Sequence, residues 1–142
     1  MEHDILSAKL RQLDDGLQRL HGRIEAGQHA GLAELRREID ALKAQCRQEE
    51  AALLRDLRQS QSPLAPVLAQ SCLQAEQLVR QTEIRLQEVY SQAPDEETSA
   101  EEKILLAEYA LDFAQSAANR ALLACMNAMD ASLLCQQERK WL

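Results

Sequence analysis

The three histidines of this chain all lie within its first 29 residues, which limits the metal sites it can build. A di-iron or di-manganese helical bundle needs an inward Glu-x-x-His motif on each of two helices. The residues three positions before His21 and His29 are Gln18 and Ala26, so neither histidine belongs to such a motif. Glu25 and His29 are four residues apart and could share an ion on one helix face. Two ligands beside a glycine-rich turn are more typical of solvated side chains, so we expect no metal and no cofactor.

The four cysteines have a spacing that excludes a zinc knuckle, because no two of them form a Cys-x-x-Cys pair. Cys46, Cys72 and Cys125 fall on apolar helix faces, where a reduced thiol acts as a small hydrophobic group. Pairing of a cysteine with a histidine, such as Cys46 with His21, would require the fold to bring distant residues together. We expect reduced cysteines and a cytoplasmic protein. No glycine follows Gly31, so the chain has no phosphate-cradling loop.

One row of polar side chains near the C-terminus could do acid–base chemistry. This polar stripe shares one side of a predicted helix and consists of Glu108, Asp112, Gln115, Asn119 and Asp130. Inside a cleft, its carboxyl groups would have raised pKa values and could hold a cation or move protons. On an open surface, they form the solvated face that a helix in water needs. We expect the solvated face.

The charge of the chain argues against nucleic acid and membrane partners. The net charge is −7, and residues 61–142 carry twelve acidic against six basic residues. Such a chain is not attracted to phosphate backbones or anionic lipid. The first ten residues, MEHDILSAKL, lack an apolar run of signal-peptide length. No window reaches the ~18 apolar residues of a membrane-spanning helix.

The composition predicts an all-α fold, and the positions of Gly and Pro mark the boundaries between helices. Leu, Ala, Glu, Gln and Arg dominate, and aromatic residues make up 3% of the chain. The glycines lie at 16–31 and the prolines at 63, 66 and 94, which divides the chain into four helices. We predict a single domain over residues 1–142, folded as an antiparallel four-helix bundle with a coiled-coil-like helical hairpin and a long C-terminal helix. The predicted helices span 4–25, 31–59, 63–92 and 99–140.

Each of the first three predicted helices has a narrow apolar seam. The seams consist of Leu6, Leu10, Leu13, Leu17, Leu20 and Ile24; of Leu35, Ile39, Leu42, Cys46, Leu53 and Leu57; and of Leu64, Leu68, Cys72, Ala75, Val79, Thr82, Leu86 and Val89. The last set is called the third-helix stripe. Gly27 and Gly31 favour a turn between the first two helices, because a continuous helix would leave two gaps in its seam. A continuous helix over 4–59 is the alternative. Ser62 is expected to cap the third helix, with Pro63 in its first turn.

The last predicted helix, the spine helix, is too apolar to stand alone in water. Its apolar face, the spine stripe, consists of Ile104, Ala107, Leu111, Ala114, Ala118, Leu122, Cys125, Met129, Ser132, Leu133 and Gln136. A flank of Ala110, Ala117, Ala121, Ala124, Ala128 and Cys135 widens this face to roughly half the circumference, beyond the ~100° of an ordinary amphipathic helix. Ser99 to Glu102 fit the capping box that would open it. Partners on more than one side are therefore expected.

The length of the spine helix predicts a homodimer. About 40 residues span ~60 Å, whereas the second and third helices span ~44 Å, so an overhang needs cover. A second copy is the commonest cover. The candidate interface residues lie outside the main stripes and are Leu73, Ile84, Tyr109, Phe113, Leu123 and Leu134.

Two families resemble parts of this chain. The segment Leu35 to Leu42, with Asp130 to Ser132 and Gln136, looks like the first and last helices of the all-helical chorismate mutases. That resemblance implies a substrate pocket with Arg36, Ser132 and Gln136, although Leu53 and its neighbours replace the second arginine of that family. In size, acidity and long helices the chain is similar to flagellar export chaperones, which implies a groove for an amphipathic client helix.

These observations favour a non-enzymatic binding or scaffolding protein that acts through apolar helix surfaces and associates with itself. The chain shows no convergent catalytic set, but it shows narrow apolar seams and an oversized apolar helix. A helical protein partner is the expected ligand. Export-chaperone-like client binding and a small enzyme resembling chorismate mutase are the alternatives.

Overall fold

The structure is a computed structural model that describes residues 2–141. In this part of the chain there are four helices and no strands: α1 (Glu2–His29), α2 (Leu32–Gln59), α3 (Leu64–Ser91) and α4 (Glu96–Trp141). The all-α prediction is confirmed, and four helices are consistent with a helical bundle. The antiparallel arrangement stays a prediction. Helix ends differ from the predicted ones by at most four residues.

The break between α1 and α2 lies where the glycines favour a turn. The N–H of Ala30 donates to the carbonyl oxygen of Gly27 at 3.3 Å, and α2 begins directly after Gly31. The N–H of Leu35 then donates to the carbonyl oxygen of Gly31 at 2.9 Å, which closes the first turn of α2. Gly27 itself remains inside α1, so the turn is shorter than the predicted segment. A single continuous helix over 4–59 is wrong.

The start of α3 follows the expected chemistry with a shift of one residue. The Ser62 hydroxyl accepts a hydrogen bond from the N–H of Leu64 at 3.3 Å, but the residue at the N-cap position of α3 is Pro63, one residue later than expected. Pro63 precedes the first helical residue instead of occupying it. Pro66 lies in the first turn, where its missing N–H breaks no helical hydrogen bond.

The start of α4 corrects the predicted capping box. Asp95 accepts a hydrogen bond from the N–H of Thr98 through its carboxylate at 2.7 Å, and the helix begins at Glu96. The N–H of Ser99 donates to the carbonyl oxygen of Asp95 at 3.2 Å, so Ser99 lies inside the helix and cannot open it. The hydrogen bonds from Thr98 lower the pKa of the Asp95 carboxyl below 3.8.

The contacts within the chain divide it into two units. One unit is Met1–Leu20 with Ala93–Leu142, and the other is His21–Gln92. The second unit contains the end of α1, all of α2 and all of α3. Within it, α2 contacts α3, and Arg23 of α1 donates a hydrogen bond to Gln45 of α2 at 3.0 Å. One domain for the whole chain stays a prediction.

The most unusual property of the fold is its near lack of a core. Among the described residues only Ala65 is buried, with 3% of its surface exposed, while thirty large apolar side chains are exposed.

Two glycines inside α1 provide a test of how the helix is stabilised. A Cβ built on Gly16 or Gly22 meets no atom within 4 Å, and neither residue has a positive φ. We expect Gly16→Ala and Gly22→Ala each to raise the free energy of unfolding by about 0.5–1 kcal/mol, because alanine loses less backbone entropy in a helix. Urea unfolding followed by circular dichroism measures this change. Ala26→Gly in the same helix is the matched control and should lower stability by a similar amount.

The Asp95 cap provides a test by pH. Because the pKa is lowered in the folded chain, the carboxylate stabilises α4 above the ordinary value of 3.8, and this contribution is lost as pH falls through the lowered pKa. Asp95→Ala should speed hydrogen exchange at the Thr98 amide at neutral pH. Asp95→Asn keeps an acceptor and removes the titrating group, so the protection of this amide, relative to its intrinsic exchange rate at each pH, should lose its acid dependence. Equal pH profiles for Asp95→Asn and the unsubstituted chain would contradict the assignment of the cap.

Candidate interaction surfaces

The third helix presents one covered face and one open face. Ala65 is buried, and four further residues at helical spacing are half-buried, which places the covered face along Ala65, Ala69, Cys72, Leu73 and Glu76. The third-helix stripe is rotated from this face. Its large residues Leu64, Leu68, Val79 and Val89 are all exposed, whereas Cys72 and Leu86 are half-buried. Most of the apolar stripe of α3 is therefore left without cover.

Polar groups join α1 to α2 within the unit His21–Gln92. The Nε atom of Arg23 lies 4.0 Å from a carboxylate oxygen of Glu38, and Gln45 also donates to Glu49 at 3.0 Å. A Cβ on Gly27 would lie 3.4 Å from the side chain of Leu35, so the two helices approach closely near the turn. The side chains of Arg23 and Glu38 are exposed, and exposed ion pairs contribute little to stability. The seams of α1 and α2 are mostly exposed as well.

The spine helix α4 is apolar around much of its circumference, and none of its described side chains is buried. The large residues of the spine stripe are exposed, as shown by Ile104, Leu111, Leu122 and Met129. Three small residues of the stripe, spaced by seven, are half-buried: Ala118, Cys125 and Ser132. The structure thus leaves the large apolar residues of this face exposed and covers the face in part at these three positions.

The candidate interface residues have different surroundings. Leu73 is half-buried on the covered face of α3, whereas Ile84 is 64% exposed. The four residues on α4 are exposed, with Phe113 the most open at 76%: Tyr109, Phe113, Leu123 and Leu134. Contact of these residues with a second copy stays a prediction.

The polar stripe lies on the surface of α4. All five of its residues are exposed. The amide of Gln115 donates to the carbonyl oxygen of Asn119 at 3.2 Å, which is a pairing between successive turns of one helix. The role of these residues as the solvated face of α4 stays a prediction.

The metal-ligand types are dispersed. Among residues 2–141 there is no group of three or more His, Cys, Asp or Glu side chains that could hold an ion. Glu25 pairs with His21, at 3.1 Å between Oε1 and Nε2. All four cysteines are free. Cys46 is exposed, so it does not act as the small buried group expected from its place in the seam of α2.

The residues implied by the chorismate mutase resemblance are on two helices. Arg36 is exposed on α2, and on α4 Ser132 is half-buried and Gln136 is exposed. An open depression on α2, with a volume of about 460 Å³, contains none of them and is lined by Gln48, Ala51, Leu54, Arg55 and Arg58. Its lining comes from a single helix, so it is a surface groove and not an enclosed pocket.

Comparison with known proteins adds no relative to this picture. No protein-family model, no curated protein and no solved structure matches the chain. Within residues 2–141, no helix combines the length and the apolar character needed to cross a membrane.

The α3 surface gives a direct test of the candidate interface. If Leu73 and Ile84 contact another subunit, the double change Leu73→Glu with Ile84→Glu should weaken association by about tenfold or more, because each carboxylate would be desolvated in the interface. Light scattering after size exclusion, over a dilution series, measures this change. Gln74→Glu with Gln81→Glu adds the same charge to exposed polar positions of α3 and is the matched control. An unchanged solution mass for the Leu73 and Ile84 pair rules out their role in assembly.

Proposed function

We propose that this chain is a non-enzymatic helical binding and scaffolding protein that acts through its apolar helix surfaces and associates with itself. The observation that carries the proposal is the exposure of apolar side chains. Among the described residues, thirty large apolar side chains are exposed and only Ala65 is buried. Proteins normally cover apolar faces of this extent, either in a core or in an interface with a partner.

The exposed area has the organisation of a binding surface. The third-helix stripe and the spine stripe follow helical spacing, and their large apolar residues are Leu, Ile, Val and Met. All of these large residues are exposed except Leu86, which is half-buried. Contiguous apolar patches of this kind mark interaction sites in proteins. An amphipathic helix, from this chain or another, matches such a face by laying its own apolar side against it.

The polar groups support binding in preference to catalysis. The polar stripe is exposed, and the ligand types for metals are dispersed among the described residues. General acid–base catalysis needs groups converging within hydrogen-bond reach of a substrate. The free cysteines fit a reducing compartment, so the proposal includes a cytoplasmic location.

Light scattering and thermal unfolding of the full chain, over an about 100-fold range of concentration, test the proposal. We expect a mass of at least twice 16.0 kDa and a melting temperature that rises with concentration, because association stabilises the folded chain by mass action. If the chain is a monomer that melts without cooperativity, the self-association part of the proposal is wrong. The remaining part is then binding of a helix from another protein.

A third outcome would contradict the proposal as a whole. This outcome is a monomer that melts cooperatively at the same temperature at every concentration and is stabilised by a small dicarboxylate or a divalent cation. It would favour an enclosed site and a helical enzyme. A thermal-shift screen of small anions and metals on the same sample provides this control.

A further inference from the structure

Nine of the eleven residues of the spine stripe are arranged symmetrically about Ala118, and Leu133 and Gln136 fall outside this symmetry. Residues of the stripe lie 4, 7, 11 and 14 positions before Ala118 and again 4, 7, 11 and 14 positions after it. The first set is Ala114, Leu111, Ala107 and Ile104, and the second set is Leu122, Cys125, Met129 and Ser132. A two-fold axis through Ala118 would therefore place every one of these residues opposite another residue of the stripe.

The side-chain sizes in the two halves are complementary. Across such an axis, each large side chain meets a small one, in the pairs Ala114 with Leu122, Leu111 with Cys125, Ala107 with Met129 and Ile104 with Ser132. Alternation of large and small residues lets two helix faces interdigitate at close distance. A parallel pair in register would instead place Leu111 against Leu111 and Ala114 against Ala114, which crowds some layers and leaves gaps in others.

The charges at the two ends of α4 are complementary in the same register. The first turn carries Glu96 and Glu97, and the last turn carries Arg139 and Lys140. The same axis places Glu97 opposite Arg139 and Glu96 opposite Lys140, beside the apolar seam, where charged residues select the partner and its direction. The half of α4 before Ala118 has six acidic residues and one basic residue, so parallel pairing would bring like charges together.

We propose that two copies of this chain pair through α4 in antiparallel orientation, with the two-fold axis at Ala118. The inference rests on the proposed function, since it names the partner and the register of its self-association. A two-fold interface requires that residue i faces j while j faces i, and the offsets around Ala118 satisfy this condition. The large and small side chains of this seam are complementary to a second, antiparallel copy of the same seam. We therefore infer a second copy of α4, and not a helix of a different protein, as the partner. The seam from Ile104 to Ser132 spans about 42 Å, or four heptads, which is long enough for a stable coiled coil.

Disulfide cross-linking of the full chain tests the register. The variant Leu111→Cys keeps the native Cys125, and Cys46→Ser, Cys72→Ala and Cys135→Ser remove the other thiols. Mild oxidation should link position 111 of one copy to Cys125 of the other. Positions 111 and 125 of one helix are about 21 Å apart, so any such link joins two copies. Ser116→Cys in the same background is the matched control, because this exposed position lies on the opposite side of α4 from Ala118 and should form no link to Cys125.

A charge exchange provides a second measurement that leaves the seam intact. Glu97→Arg and Arg139→Glu should each weaken dimerisation about two- to fivefold, and the double variant should restore the original affinity. Light scattering over a dilution series gives these affinities. Failure of the double variant to restore affinity, when each single change has weakened it, contradicts the register.

The outcomes separate this inference from the proposed function. A dominant 111–125 link with restoration by the charge exchange supports antiparallel pairing at Ala118. Links between identical positions, or a dimer that forms no link, overturn the inference and leave self-association standing. A monomeric mass for the unsubstituted chain at every concentration overturns both the inference and the self-association on which it rests.

Discussion

The dominant physical constraint on this chain is the removal of apolar helix faces from water. Each exposed Leu or Ile that is later covered contributes about 1.5–3 kcal/mol, so thirty exposed large apolar side chains represent a driving force larger than the net stability of most domains. Within the chain, only Ala65 is buried among the described residues. Folding and association are therefore coupled in the proposed assembly, because the same faces must serve both.

Local interactions define the helices even though long-range packing is sparse. Asp95 and Ser62 satisfy backbone N–H groups at the starts of α4 and α3, and the link after His29 closes α1 with a hydrogen bond to Gly27. Helices of 28 and 46 residues are long enough to overcome the cost of nucleation. Most helical stability in proteins nevertheless comes from packing an apolar face. The structure thus has well-defined elements whose apolar faces still require a partner surface.

The proposed function assigns a role in assembly to the surface of α4. The carboxylates of its polar stripe are exposed, and the amide of Gln115 donates a hydrogen bond to Asn119 along the same helix. Its apolar face offers a long seam with complementary halves. A surface of this kind discriminates partners by shape and by the sign of the flanking charges, because both must match along the whole seam.

The sequence by itself determined the helices. Apolar spacing, the Ser62–Pro63 pair and the glycines before residue 32 are local signals, and they located all four helices and the break after α1. The start of α4 differs from the predicted one because Asp and Ser are both residue types that cap helices. In the structure, Asp95 accepts the capping hydrogen bond and Ser99 lies inside the helix. Only the tertiary structure decided which faces are covered. Leu73 lies outside the third-helix stripe and is half-buried, whereas most of that stripe is exposed. The spacing of apolar residues determines which residues share a helix face. The rotation of that helix against its neighbour depends on contacts between residues distant in sequence.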